Sequence, residues 1–130
     1  VMDRKQLSEP GKPLQKEEWA AVIDSVGSVT LANACASTRY GGIVAACGLA
    51  QGMDFPGSVA PFILRGVTLA GIDSVMASPA VRRVAWERIA TAIDRAALNR
   101  ITSEIELADV EAAAQDLLAG QIRGRLIVKI

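Results

Sequence analysis

Trp19-Ala20-Ala21-Val22-Ile23-Asp24-Ser25-Val26 is apolar on consecutive positions, and Gly27 ends it. A strand with one wet face alternates polar with apolar, so an unbroken run of this length reads as a strand of a parallel sheet, covered on both faces. Ile43-Val44-Ala45-Ala46-Cys47 repeats the pattern and stops at Gly48. Between them, Ser28 to Thr38 has helical spacing, with Val29, Leu31, Ala32 and Cys35 on the inward face and Tyr40-Gly41-Gly42 as its stop. Strand, helix and strand make a βαβ unit, because parallel neighbours need a crossover.

The same logic extends outward from this unit. A glycine-rich loop runs from Leu49 to Ser58, Val59 to Leu64 reads as a helical turn, and Gly66 to Val75 as a third strand through Val67, Leu69 and Ile72. Ser78-Pro79 supplies a hydroxyl N-cap and a proline at the first helical position. Val81, Val84, Ala85, Ile89, Ala92, Ile93 and Ala96 then form one apolar stripe. Ser103 to Leu107 reads as a strand, Asp109 to Ala119 as a helix closed by Gly120, and Arg125 to Ile130 as a last strand. On the amino-terminal side, Val1-Met2-Asp3-Arg4 reads as the end of a strand and Ser8-Glu9-Pro10-Gly11-Lys12-Pro13 as a loop. The fold class is α/β, the later part of a doubly wound parallel sheet.

Composition narrows the function. The 130 residues are 51% hydrophobic and 22% charged, and 14 basic side chains balance 14 acidic ones without forming blocks. No field is set up for nucleic acid or an anionic membrane, and no apolar run has membrane-spanning length. The expected setting is cytoplasmic. Cys35 and Cys47 are too few for a disulfide framework and read as buried free thiols. With no histidine, Ser-His and Cys-His pairs and His zinc ligands are excluded, and no metal site is expected.

Ile-Asp-Ser-Val occurs twice, at Ile23–Val26 and Ile72–Val75, each time at the carboxyl end of an expected strand. In an open parallel sheet the ligand crevice lies outside those ends, so both copies and Cys47-Gly48-Leu49-Ala50 would line one rim. The bland alternative is that each aspartate merely ends a strand and caps the next turn. Gly48 and Gly52 would allow close backbone approach to a flat or anionic ligand. The G-x-G-x-x-G phosphate cradle is absent from these residues. Arg4 and Lys5 are candidates to meet a phosphate. Asp24, Asp54 and Asp73 have no spacing that specifies paired acid/base work, and Glu104 and Glu106 share a strand face. Trp19 and Trp86 read as packing anchors.

The strings Tyr40-Gly41-Gly42, Val44 through Ala50, Pro61-Phe62-Ile63-Leu64-Arg65, Gly71-Ile72-Asp73-Ser74-Val75 and Gln121-Ile122-Arg123-Gly124-Arg125 resemble the zinc-independent acryloyl-CoA reductase family. These are quinone-oxidoreductase-like members of the medium-chain dehydrogenase/reductase superfamily. The resemblance implies a GroES-like catalytic domain, a Rossmann domain and a return into the catalytic domain. On that pattern, 1–100 is a partial Rossmann NADP-binding domain, strands three to six, and 101–130 is the return segment. It further implies NADPH-dependent reduction of an activated carbon-carbon double bond in an enoyl-CoA or quinone-like substrate. Arg4 would lie near the adenosine-side phosphate, Leu49 under the nicotinamide half beside Gly48, and Ile63 and Ser74 near the nicotinamide. The family has asparagine at the position of Gly120, so a side-chain contact there is lost. The catalytic residues are not assigned by these positions.

Three expectations concern behaviour. The chain is a carboxyl-terminal fragment, itself inactive for want of the phosphate loop. Its first long strand has an unpaired edge and favours a homo-oligomer. Two readings from other classes stay open: a self-contained flavodoxin-like binding module, and a dimerisation segment using Val67 to Ile72.

Overall fold

The computed structural model describes residues 2–130. Val1, the start of the expected strand end, lies outside them; Met2 and Asp3 are not in a strand, and Arg4–Leu7 is a 3-10 turn. Asp3 makes that turn, its carboxylate accepting from the Lys5 amide at 3.0 Å. The chain divides into two compact units, one up to Ala77 and one over Ser78–Ile130.

In the first unit, β1 (Trp19–Asp24), β2 (Thr38–Ala46) and β3 (Thr68–Gly71) form a parallel sheet in the order β1-β2-β3. The crossovers carry α1 (Ser28–Ser37) and α2 (Ala60–Arg65). Register sorts the side chains by face, as the two-residue period of a strand requires. Val22, Val44 and Leu69 are paired in one row, and Leu31, Cys35, Phe62 and Val67 pack with them. Val44 at the centre is 0% exposed. The neighbouring row, Ile23, Ala45 and Ala70, lies on the opposite face, where Ile23 is 85% exposed. The expectation of a strand covered on both faces is therefore corrected: α1 and α2 share one core and cover one face of the sheet.

Tyr40-Gly41-Gly42 is not a helix stop. The helix ends at Ser37, Thr38 turns extended, and the three residues belong to β2. The Thr38 hydroxyl donates to Ala34 O at 2.7 Å, satisfying one carbonyl of the last turn. Trp19 pairs with Thr38, but Ala21, two residues on, pairs with Ile43, five residues on, so β2 bulges between them. The third strand is also shorter than the expected Gly66 to Val75, because Asp73 folds the chain into a turn.

In the second unit, Ser78 caps α3 (Pro79–Ala92) as read, its hydroxyl accepting from the Val81 amide. The stripe does not continue as one helix. Ile93 is extended, and Asp94 caps a new helix, α4 (Arg95–Arg100), by accepting from the amides of Ala96 and Ala97. Two parallel strands, β4 (Thr102–Glu106) and β5 (Arg125–Lys129), flank α5 (Val110–Leu118), close to the expected bounds. No described residue of this unit is buried, and Trp86, expected as an anchor, is exposed. Among the described residues no helix is long and apolar enough to cross a membrane.

Candidate functional site

The carboxyl ends of β1, β2 and β3 open into a cleft of about 580 Å³ in the first unit. Its wall is mostly apolar, with Leu31, Leu49, Met53, Phe55, Leu69 and Ile72 contributing. That position is where an open parallel sheet places a ligand, and the volume suits a small organic group. Its floor is built by the loop after β2 running along the turn after β1. Cys47 N donates to Asp24 O at 2.8 Å, Gln51 N to Val26 O at 2.7 Å, and Gly27 and Gly52 bridge. Gly48 is needed for this approach: a Cβ there would stand 2.5 Å from Ser25 O. Its lack of a side chain serves packing between two loops.

The repeated Ile-Asp-Ser-Val makes the same turn twice. Asp24 accepts from the amides of Val26 at 3.3 Å and Gly27 at 2.9 Å. Asp73 accepts from those of Val75 at 2.9 Å and Met76 at 3.0 Å. Each carboxylate takes the two amides two and three residues ahead, which ends the strand and turns the chain at the cleft rim. Asp54 accepts from the Ser28 hydroxyl at 3.1 Å. These three aspartates hold backbone and hydroxyl donors, and the bland reading of them is the one the geometry carries. Glu104 pairs with Lys129 at 2.8 Å on the second unit's strands.

The two thiols differ. Cys35 lies in the core, where burial first and the Asp24 charge second push its pKa up to about 11, so it stays a neutral thiol. Cys47, read as buried, is exposed: it lines the cleft, with Sγ donating to Asp24 O at 3.2 Å.

The sequence-derived candidates are only partly brought together. Gly48 and Leu49 both line the main cleft. Arg4 lines a second one, of about 360 Å³, with Ser8, Val26, Thr30, Ala50 and Gln51. Ile63 is exposed on α2, and Ser74 is exposed in the Asp73 turn; neither lines these two clefts. Gly120 sits at φ +71 just past α5, a left-handed position that glycine and asparagine both adopt readily.

Sequence reading missed Met53, Phe55 and Gln51. Phe55 enters the wall beside Phe62, ring centroids 6.3 Å apart, and a lone aromatic in a glycine-rich loop was the available signal. Gln51 accepts from the Thr30 amide and hydroxyl, so that first-turn amide of α1 is already satisfied. The apolar cleft fits a flat ring, and Arg4 is the cation at the second cleft. The part of a dinucleotide such residues fit is therefore its ring half and one phosphate.

The chain was compared with known proteins over its whole length. No family profile matches the chain. It is 42% identical over 130 residues to the probable acrylyl-CoA reductase AcuI of Escherichia coli K12, covering 100% of this chain and 40% of that protein. The crystal structure of E. coli K-12 YhdH with bound NADPH superposes with a TM-score of 0.91 at 43% identity, over 99% of this chain and 40% of that one. The putative quinone oxidoreductase YhfP of Bacillus subtilis is 42% identical over 120 residues, 92% of this chain and 36% of that protein. Its structure with NAD bound superposes at a TM-score of 0.89. The chain thus spans about 40% of the length of the relatives it matches.

Proposed function

Because the chain belongs to the medium-chain dehydrogenase/reductase family, with acrylyl-CoA reductases and a quinone oxidoreductase as relatives, we propose that it is part of an NADP(H)-dependent enoyl-thioester reductase. The cofactor, when bound, supplies a hydride to the β-carbon of an acryloyl-CoA-like substrate, and a proton reaches the α-carbon. The products are the saturated thioester and oxidised cofactor. The observation that carries this reading is the apolar cleft at the carboxyl ends of three parallel strands, in a chain 43% identical to a protein crystallised with NADPH.

In this reading Leu49 and its neighbour Gly48 form the bed of the nicotinamide half, and Arg4 meets the adenosine-side phosphate. Ile63 and Ser74 are assigned to the nicotinamide surroundings by the family resemblance alone, since neither lines the cleft. Domain organisation is proposed as a partial cofactor-binding domain over 1–100 and a return segment over 101–130.

The chain alone is proposed to be inactive, since pyrophosphate affinity in such folds comes largely from a helix amino terminus and an amide nest. Titration of the 130-residue chain with NADPH, followed by cofactor fluorescence, is expected to show no micromolar binding. Micromolar affinity would overturn that statement. Oxidation of NADPH by the longer protein carrying this chain, on addition of acryloyl-CoA, tests the activity itself.

A second reading has its own observation. Ile23 and Ile43 face outward on the sheet face opposite the core, and β1 and β3 are edge strands of the described sheet. We propose that the chain self-associates through these surfaces. Light scattering over a dilution series is expected to show an oligomer; a monomer at every concentration removes this reading.

A further inference from the structure

We propose that Asn33 is a positioning residue that sets where the Arg4 guanidinium stands in the second cleft. The inference rests on the reading of Arg4 as a contact to the cofactor's adenosine-side phosphate.

Residues 2–18 form a strap that holds one 3-10 turn, Arg4–Leu7, and no other helix or strand. Local bonds shape the turn: Asp3 accepts from the Lys5 amide through its carboxylate and from the Gln6 amide through its carbonyl, the Ser8 hydroxyl donates to Arg4 O at 2.9 Å, and the Ser8 amide donates to Lys5 O. These fold the turn but do not place it on the body of the protein. At the far end, Gln15 N donates to Ala36 O at 3.0 Å and Glu18 N to Ser37 O at 2.8 Å. Arg65 adds a clasp there, donating to Gln15 O and Ala36 O at 2.6 and 2.8 Å.

Close to Arg4 the fastening is Asn33, in the middle of α1 and 4% exposed. Its Nδ2 donates to Leu7 O at 2.9 Å and Glu9 O at 2.8 Å, and its Oδ1 accepts from Gln15 Nε2 at 2.7 Å. One of these strap groups, Leu7 O, belongs to the last residue of the turn that carries Arg4, and another, Glu9 O, lies two residues beyond it. A primary amide offers two donors and an acceptor in one plane, which is the set these three partners need. Asparagine is a poor residue for a helix interior, so its place in α1 answers a tertiary demand rather than a local one.

The functional consequence concerns charge placement. A guanidinium on an unfastened strap is a solvated ion that must be ordered at each binding event. Fastening the backbone next to Arg4 keeps that residue at the cleft that Thr30 and Gln51 also line, so less of the ordering for a charge-assisted bond to phosphate falls on the binding step.

The test uses the intact reductase carrying this chain, with kcat and KM measured for NADPH and for NADH, which lacks the adenosine 2′-phosphate. Asn33→Asp keeps the shape and the acceptor for Gln15 but turns an acceptor toward two carbonyls. It is expected to raise KM for NADPH about tenfold, the size of one charge-assisted hydrogen bond. The kcat and the KM for NADH are expected to stay within about twofold. Arg4→Ala gives the same selective rise, and the double variant Arg4→Ala/Asn33→Asp is no worse than Arg4→Ala alone.

A selective rise with Arg4→Ala but none with Asn33→Asp overturns the positioning role, as does full additivity or an equal effect on both cofactors. No effect of Arg4→Ala on NADPH overturns the reading of Arg4, and the inference falls with it. If Asn33→Asp does not fold, Asn33→Ser, which retains one donor, is expected to show a smaller rise of the same selectivity; an equal effect on both cofactors overturns the proposal.

Discussion

The two compact units obey the same local rules and reach different ends. Two helices of the second unit carry side-chain caps: Ser78 before Pro79, and Asp94 before Arg95, each accept from amides of the first turn. The first unit's α1 begins without a side-chain cap, behind Gly27. Yet among the described residues every buried one lies in the first unit, and α3 leaves Val81, Val84 and Ile89 exposed. Caps and periodicity write a helix, whereas burial needs a partner surface, and only the first unit supplies one in the Val22, Val44 and Leu69 row.

That contrast is open to direct attack. Leu31, 8% exposed in the core, is expected to cost about 2–5 kcal/mol on replacement by alanine, measured by urea denaturation. Ile89→Ala, at 46% exposure, is expected to stay within about 0.5 kcal/mol. Equal costs would show that the α3 stripe is covered in solution and would break the comparison.

A smaller effect is expected at the glycines. Gly48→Ala forces a Cβ onto the Ser25 carbonyl and should cost about 1–3 kcal/mol. Gly120→Ala, in open space but at φ +71, should cost about 1 kcal/mol, and Gly120→Asn less. Thermal unfolding of the three variants gives the ranking; a harmless Gly48→Ala would mean that the cleft floor is looser than its hydrogen bonds imply.

The thiols sharpen the comparison chemically. Cys35 has its folded pKa raised from 9.0 to about 11, so its neutral form is favoured by folding. That contribution to stability is fully present below pH 9 and is lost as the pH rises through about 11. An alkaline denaturation series is expected to show this loss in the native chain and not in Cys35→Ala. At neutral pH a disulfide reagent should label exposed Cys47 rapidly and Cys35 only on unfolding. Prompt labelling of both would show that the core opens. The smallest effect is expected from Ser78→Ala, about 1 kcal/mol of local α3 stability, read by amide exchange with the first unit unchanged.

The βαβ core was legible because its signal is composition along the chain: two apolar runs, a helical spacing between them and a glycine after each. Capping was legible for the same reason at Ser78, though Asp94 is masked as a cap because the apolar stripe continues across it. What stayed hidden depends on where other chain lies. Consecutive apolar residues announce burial on both faces, but which face α1 and α2 cover is decided by the register of β1 on β2. For the site, the strand-end rule located the rim of Gly48 and Leu49, while Arg4 stands in a different cleft and Ile63 and Ser74 line neither. Asn33 and Arg65 fasten segments far away in sequence, and no local pattern marks them.

The bulge of β2 has a consequence for how this chain tolerates change. Side chains in a strand alternate faces, so a one-residue slip would turn Val44 out of the core and Ile43 into it. Between Thr38 and Ile43, however, β2 carries surplus length against β1. That slack uncouples the end of α1 from the start of the paired core. One residue added among Arg39, Tyr40 and Gly41 lengthens an excursion near the start of β2, while one added after Ile43 inverts the faces of every residue up to the cleft.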